Sequence, residues 1–233
     1  MTKPEAIVFD LDGTLIHSAP DLRFAANEAL KAVDRRQLDL PTIISFIGNG
    51  VEVLVERILD ATGDSSEALK RDVLAIFLKV YGANMTTLTR PYPGVVAALE
   101  QLKSSGVRLG VCTNKPTAPA REICEKLDLV QFFDVIVGAE SDQPKKPDPQ
   151  SLLTCIAALN CTPEQALYVG DSAIDFHTAR RASVDFRLFS AGYLNESLPE
   201  LSDENRFSNW AKYEINFFSI SNEKVLCESR TCR

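Results

Sequence analysis

Four short polar clusters carry residue types suited to work on an anion held beside a divalent cation. Asp10 and Asp12 flank Leu11 directly after the apolar run Ala6 to Phe9, and Gly13 follows them. Thr113 and Asn114 come after a second apolar run, Val107 to Cys112, and Gly170-Asp171 after a third, Ala166 to Val169. Lys146 opens the stretch Lys146-Pro147-Asp148-Pro149, and Asp175 lies four residues beyond Asp171. Two carboxylates one residue apart point in similar directions once the chain bends at Gly13. With Asp171 they make an oxygen-rich cluster that suits a hard cation such as Mg²⁺ better than zinc. Without a cation or a proton between them, such carboxylates repel one another. Lys146 and the Asn114 amide offer charge and donors to a phosphoryl group, and the Thr113 hydroxyl can bond one of its oxygens. An aspartate in such a site can serve as the nucleophile and split phosphoryl transfer into two easier steps.

The elements that must position these residues follow from periodicity and punctuation. The near-unbroken apolar runs read as buried strands: Ala6 to Phe9, Val107 to Cys112, Val135 to Val137, Ala166 to Val169 and Val184 to Phe189. Helical spacing marks Val95 to Lys103, a helix near Ala118 to Leu127, Ser151 to Leu159 and Ala173 to Ala182. This alternation implies α/β architecture, a Rossmann-like parallel sheet covered on both faces. From Ser18 to Leu88 the pattern is helical only. Asp21 caps a first helix, Pro41 opens a second closed by Gly48-Asn49-Gly50, and Val51 to Ala61 and Glu67 to Tyr81 end at Gly63 and Gly82. The expected organisation is a catalytic core from 1–16 and 90–218, a small α-helical cap over 17–89 inserted after the first strand, and a loose tail over 219–233. Tyr213 to Phe218 is expected as an edge strand. In an open α/β sheet, ligands bind beyond the carboxyl ends of the strands. Asp10 and Asp12, Thr113 and Asn114, and Asp171 all fall at such ends and should converge.

Composition narrows the partners. The 233 residues are 45% hydrophobic and 24% charged, enough to bury a core. A formal net charge of −7 disfavours nucleic acid and anionic membrane surfaces, so a small anionic substrate needs a local cationic pocket. No apolar stretch reaches the roughly 18 residues of a membrane span, and the N-terminus lacks a signal-peptide pattern, so a cytoplasmic protein is expected, acting as a monomer or homodimer. Cys112, Cys124, Cys155, Cys161, Cys227 and Cys232 form no Cys-x-x-Cys pair, which points to reduced thiols, with Cys227 and Cys232 exposed in the tail.

Asp10-Leu11-Asp12-Gly13-Thr14, Val111-Cys112-Thr113-Asn114, Lys146-Pro147-Asp148-Pro149 and Val169-Gly170-Asp171-Ser172-x-x-Asp175 resemble, in order, the four motifs of the haloacid dehalogenase superfamily. Any one of them alone reads as a capped turn or a solvated lysine; together they cover the chain to about residue 195. The resemblance implies that Asp10 attacks phosphorus, that Asp12 is general acid and then general base with its backbone carbonyl on Mg²⁺, and that Thr113 and Lys146 hold the phosphoryl oxygens. It also implies that Asp171 ligates the metal and that Asp175 orients the metal's water shell or Lys146.

Within that superfamily, Leu15-Ile16-His17-Ser18-Ala19-Pro20-Asp21-Leu22, Ile47-Gly48-Asn49-Gly50, Val53-Leu54-Val55-Glu56-Arg57, Thr113-Asn114-Lys115-Pro116-Thr117 and Gly192-Tyr193-x-Asn195 resemble bacterial phosphoglycolate phosphatases. That likeness implies hydrolysis of a small phosphate monoester, 2-phosphoglycolate, with Asn114, Gly48, Asn49 and His17 as substrate-side candidates. His17 stands where an aspartate is usual, as a hinge hydrogen bond or a substrate contact, and Ser183 replaces a usual glycine. Arg23, Arg57 and Arg90 are candidate cations for a substrate carboxylate. A sugar-phosphate phosphatase, a pyrophosphatase or a phosphoglucomutase-like enzyme shares every core motif, and a non-catalytic regulatory domain shares the fold. A haloacid dehalogenase would not need Asp12.

Overall fold

The computed structural model describes residues 3–63, 66–141, 143–194 and 196–212. The expectations for Asn195, the Tyr213 to Phe218 strand, the tail over 219–233, and Cys227 and Cys232 lie outside these residues.

Strand β1 (Ala6–Phe9) shows why the sheet is covered on both faces. Its side chains alternate: Ile7 and Phe9 join one apolar cluster, Ala6 and Val8 the other, and all four are fully buried. Beyond β1 come a two-residue strand β2 (Ile16–His17) and helices α1 (Ala19–Lys31), α2 (Leu40–Phe46), α3 (Val51–Asp60) and α4 (Glu67–Asn84). The chain returns through β3 (Arg90–Pro91), which pairs antiparallel with β2. Then follow α5 (Val95–Ser104), β4 (Arg108–Pro116), α6 (Thr117–Lys126), β5 (Val135–Ala139), α7 (Gln150–Ala158), β6 (Ala166–Gly170), α8 (Ala173–Ala182), β7 (Asp185–Phe189) and β8 (Arg206–Phe207). Among the described residues, six strands form one sheet in the order β5-β4-β1-β6-β7-β8, and every pairing in it is parallel. This is the α/β class expected, with a helical insertion after the first strand. No helix among the described residues is long and apolar enough to cross a membrane.

Strand order does the positioning. β1 lies between β4 and β6, with Phe9 level with Val111 on one side and Val169 on the other. Asp10 therefore leaves the sheet beside Thr113 and Asp171, at strand spacings of about 5 Å.

Three local expectations differ. α1 begins at Ala19, so Asp21 lies in its first turn. There the Asp21 carboxylate accepts from the Leu88 and Thr89 amides and the Thr89 hydroxyl, joining the way into the insertion to the way out. α4 runs through Gly82 to Asn84, because packing along α1 outweighs the roughly 1 kcal/mol that a helical glycine costs. β4 continues through Thr113 and Asn114 to Pro116, with a register shift after Cys112. β8, a two-residue strand too short to read from pattern, pairs with β7 and ends the sheet on that side among the described residues. Trp210 supports that edge, 1% exposed and packed against Phe9, Phe189 and Phe207. Cys112, Cys124 and Cys155 are buried free thiols, and Cys161 is half-buried and free.

Ser183 closes α8 in the left-handed region, at φ 57° and ψ 40°. The other non-glycine residues with positive φ among those described are aspartates or an asparagine, which tolerate it better. Ser183→Gly should therefore raise stability by about 0.5–1 kcal/mol, and Ser183→Val should lower it. Urea denaturation checks both signs; a less stable glycine variant would contradict this account of the turn.

Candidate active site

The site forms because Lys146, on the loop before α7, extends its side chain into the gap between β1, β4, β6 and α8. Its ammonium is buried and meets four acceptors: Asp10 Oδ1 at 2.9 Å, Asp175 Oδ1 at 2.7 Å, the Tyr168 hydroxyl at 2.8 Å and the Cys112 carbonyl at 3.2 Å. Burial alone would lower the Lys146 pKa, but Asp10 and Asp175 outweigh it, and the ammonium is held above its ordinary value. Burial pushes the Asp10 carboxyl up to about 6, against the pull of Lys146, with Asp175 and Asp12 adding to the rise. Burial also acts to raise Asp175, but Lys146, Ser172 and Tyr168 hold it below the usual carboxylate range.

Asp175 is placed by a capping box at the start of α8. The Ser172 hydroxyl accepts from the Asp175 amide, and Asp175 Oδ2 accepts from the Ser172 amide and hydroxyl. Asp171 is set differently. Its carboxylate accepts from the Thr14 hydroxyl at 2.9 Å and from the Tyr193 amide at 2.6 Å, both neutral donors. Gly13 (φ +88°) and Gly192 allow this approach, since a Cβ on either would overlap the Asp171 carboxylate. Burial, then Asp175 and Asp10, raise the Asp171 carboxyl well above its usual range.

One cavity is lined by Asp10, Asp12, Thr113, Lys146, Asp171 and Asp175, and by Gly48, Asn114 and Lys115 at its side. Leu22, Ile47, Val51, Leu54, Phe77 and Leu78 of the helical insertion wall the opposite side. Asp12 Oδ2 lies 3.0 Å from Lys115 Nζ, while its buried Oδ1 has no partner among the described residues. The Thr113 Oγ1 accepts from the Lys115 amide at 3.2 Å, which leaves its own hydrogen to give. Asn114 is differently employed from the expectation. It donates to the Gly48 and Lys146 carbonyls and accepts from the Lys146 amide, so its groups hold two loops together.

His17 and Asn49 are not among the cavity's lining residues. His17 Nδ1 lies 2.9 Å from the Tyr193 hydroxyl where β2 enters the insertion, and burial lowers its pKa. Asn49 accepts from Arg57, whose other nitrogen donates to the Phe46 carbonyl. Arg90 donates to carbonyls of Thr86, Thr87 and Thr89, and neither it, Arg57 nor Arg23 reaches the cavity. Lys145 turns away from Lys146 to pair with Glu52 of α3 at 2.7 Å. Tyr168 escaped the motif reading, although a tyrosine inside a fully buried strand needs a partner for its hydroxyl and is a signal in itself.

The residues fit a divalent cation. Carboxylate oxygens of Asp10, Asp171 and Asp175 lie within 4.8 Å of one another. Asp175 has both oxygens engaged, Oδ1 by Lys146 and Tyr168 and Oδ2 by Ser172, and Asp10 meets Lys146 through Oδ1. Among the described residues Asp171 is a buried carboxylate bonded to neutral donors alone, which a hard cation would balance. Asp10 and Asp171 are the side chains that would hold it.

A model of the haloacid dehalogenase-like hydrolases matches residues 7–189. The phosphoglycolate phosphatase of Cereibacter sphaeroides is 44% identical over 204 residues, spanning 87% of this chain and 93% of its own. That of Rhodospirillum rubrum is 38% identical over 213 residues, 89% of this chain and 88% of its own. A crystal structure of a predicted phosphoglycolate phosphatase from Haemophilus somnus 129PT has a TM-score of 0.85 at 32% identity, covering 91% of this chain and 97% of that one.

The two neutral donors on Asp171 give a prediction with two opposite signs. Asp171→Asn keeps partners for both, since its carbonyl can accept from Tyr193 and its amide can donate to Thr14. Without divalent cations this variant should melt no lower than the unsubstituted protein, because a buried repulsive charge is gone. With Mg²⁺ at about 100 times its dissociation constant, the unsubstituted protein should gain about 2.7 kcal/mol and the variant little of it. Thermal denaturation with and without Mg²⁺ reads both; an equal Mg²⁺ gain in the variant would remove Asp171 from the metal site.

Proposed function

Because this chain belongs to the haloacid dehalogenase-like hydrolases and is a phosphatase of that family, we propose that it hydrolyses 2-phosphoglycolate to glycolate and phosphate through an aspartyl-phosphate on Asp10. The observation that carries the reading is the convergence of Asp10, Asp12, Thr113, Lys146 and Asp171 on one cavity from three neighbouring strand ends and a loop. Relatives that bear the name phosphoglycolate phosphatase at 44% and 38% identity support the choice of ester.

In the first step an Asp10 oxygen attacks phosphorus and the bond from phosphorus to the ester oxygen breaks. Asp12 gives its proton to that oxygen; the unpartnered Asp12 Oδ1 suits this work. In the second step Asp12 takes a proton from water, the oxygen of that water attacks phosphorus, and the Asp10 carboxylate leaves as it began. Thr113 gives its free hydroxyl hydrogen to a phosphoryl oxygen. Lys146, fixed on Asp10, balances charge at the nucleophile, and Asp175 and Tyr168 keep it there. Mg²⁺, when bound at Asp10, Asp171 and the Asp12 carbonyl, would supply Lewis-acid charge for the phosphoryl oxygens. The segment 17–89 acts as the cap whose apolar wall excludes water, over a core from 1–16 and 90–218.

Asp10→Asn should abolish Mg²⁺-dependent turnover, by at least about 10³-fold, while the circular dichroism spectrum stays that of the folded protein. Retained hydrolysis would remove Asp10 as nucleophile. A panel of 2-phosphoglycolate, hexose phosphates, nucleotides and pyrophosphate should place 2-phosphoglycolate first in kcat/KM by at least about tenfold, or roughly 1.4 kcal/mol. A better hexose phosphate or pyrophosphate would replace this substrate while leaving the chemistry at Asp10 untouched.

A further inference from the structure

Among the described residues, two cations line the cavity, Lys146 and Lys115, against the carboxylates of Asp10, Asp12, Asp171 and Asp175. A substrate that brings a carboxylate as well as a phosphoryl group needs a positive partner for each. Lys146 is not available for the carboxylate. Its ammonium already has Asp10, Asp175, Tyr168 and the Cys112 carbonyl around it, more acceptors than it has hydrogens.

Lys115 is placed differently. Its side chain leaves the end of β4 and is 8% exposed. Its ammonium touches Asp12 Oδ2 at 3.0 Å and the Tyr81 hydroxyl at 2.9 Å, and it lies 4.9 Å from the centre of the Tyr81 ring. Among the described residues these two acceptors leave one of its three hydrogens for a ligand. Tyr81 belongs to α4 of the insertion and Lys115 to the sheet, so the cation is held from both sides of the cavity.

We infer that Lys115 is the specificity-determining residue of this site, receiving the carboxylate of an α-carboxylate phosphate monoester, with Tyr81 as the residue that positions its ammonium. The inference rests on the reading of the substrate above. Connectivity supports it: in 2-phosphoglycolate one methylene separates the ester oxygen from the carboxylate. When Asp12 meets the ester oxygen, a cation in contact with Asp12 lies beside that carboxylate. The three candidate arginines, Arg23, Arg57 and Arg90, are turned to carbonyls or lie away from the cavity. The surrounding wall of Val51, Leu54, Phe77 and Leu78 offers a carboxylate no other charge, and it strengthens the attraction by keeping water out.

The test compares 2-phosphoglycolate with ethyl phosphate, which has the same ester oxygen and a methyl group in place of the carboxylate. Lys115→Met keeps the length of the stem without its charge. It should lower kcat/KM for 2-phosphoglycolate at least about tenfold further than for ethyl phosphate, mainly through KM. Lys115→Arg should retain the preference to within about threefold, since the cation remains. Tyr81→Phe should give a loss in the same direction as Lys115→Met but smaller. Should the methionine variant not fold, Lys115→Gln keeps donors for Asp12 and Tyr81 and carries the same expectation. An equal fall for both esters in Lys115→Met and Lys115→Gln would overturn the inference and leave Lys115 as a brace for Asp12. If the unsubstituted enzyme does not prefer 2-phosphoglycolate to ethyl phosphate, the substrate reading fails first and the subsite with it.

Discussion

A lysine ammonium buried in a protein interior is stable only where acceptors surround it, and the active site is built around that requirement at Lys146. Four acceptors from β1, β4, β6 and α8 satisfy it. In return the ammonium fixes Asp10 at the end of β1 and Asp175 in the first turn of α8. The capping box with Ser172 holds Asp175 from its other oxygen, so the start of the helix and the orientation of the lysine are one arrangement. Removing either partner of such a pair strands a buried charge, which makes this network a positional constraint more than a source of stability.

Asp171 obeys the opposite logic. Glycines at 13 and 192 let two stretches of backbone close around it, and among the described residues a hydroxyl and an amide alone meet its oxygens. Its carboxyl is consequently pushed well above its usual range by burial and by its acidic neighbours. One acidic cluster thus contains a carboxylate neutralised by lysine and another whose charge is unmatched, two environments that suit them to different partners.

The helical insertion is attached by polar contacts at several points around the cavity. Asp21 joins its two connections, the Asn114 amide reaches the Gly48 carbonyl, Lys145 pairs with Glu52, and Lys115 meets Tyr81. Apart from Asp21, each of these links an element of the sheet side to the insertion. A movement of the insertion would therefore alter the cavity wall and the surroundings of Asp12 together, while Lys146 and Asp175 stay held within the core.

The strand ends were legible in the sequence because a parallel strand buried on both faces is an unbroken apolar run, and its first polar residue marks the edge where ligands bind. Asp10, Asp12, Thr113 and Asp171 could be gathered on one edge from that rule alone, and Lys146 from its motif. What the chain pattern does not contain is which side chains meet across elements. Tyr168 reaches Lys146 from 22 residues away, Lys115 reaches Tyr81 from 34, and Asp21 reaches Thr89 from 68. Asn114 looked like a ligand donor until the fold spent its amide on Gly48 and Lys146, and Asp21 looked like a helix cap until Thr89 claimed it. Residue type and local period depend on neighbours along the chain, so the sequence by itself determined the sheet edge where Asp10 stands and the acidic residues gathered there. Hydrogen-bond partners and the charge left over for a ligand depend on packing between distant elements, and only the tertiary structure decided those.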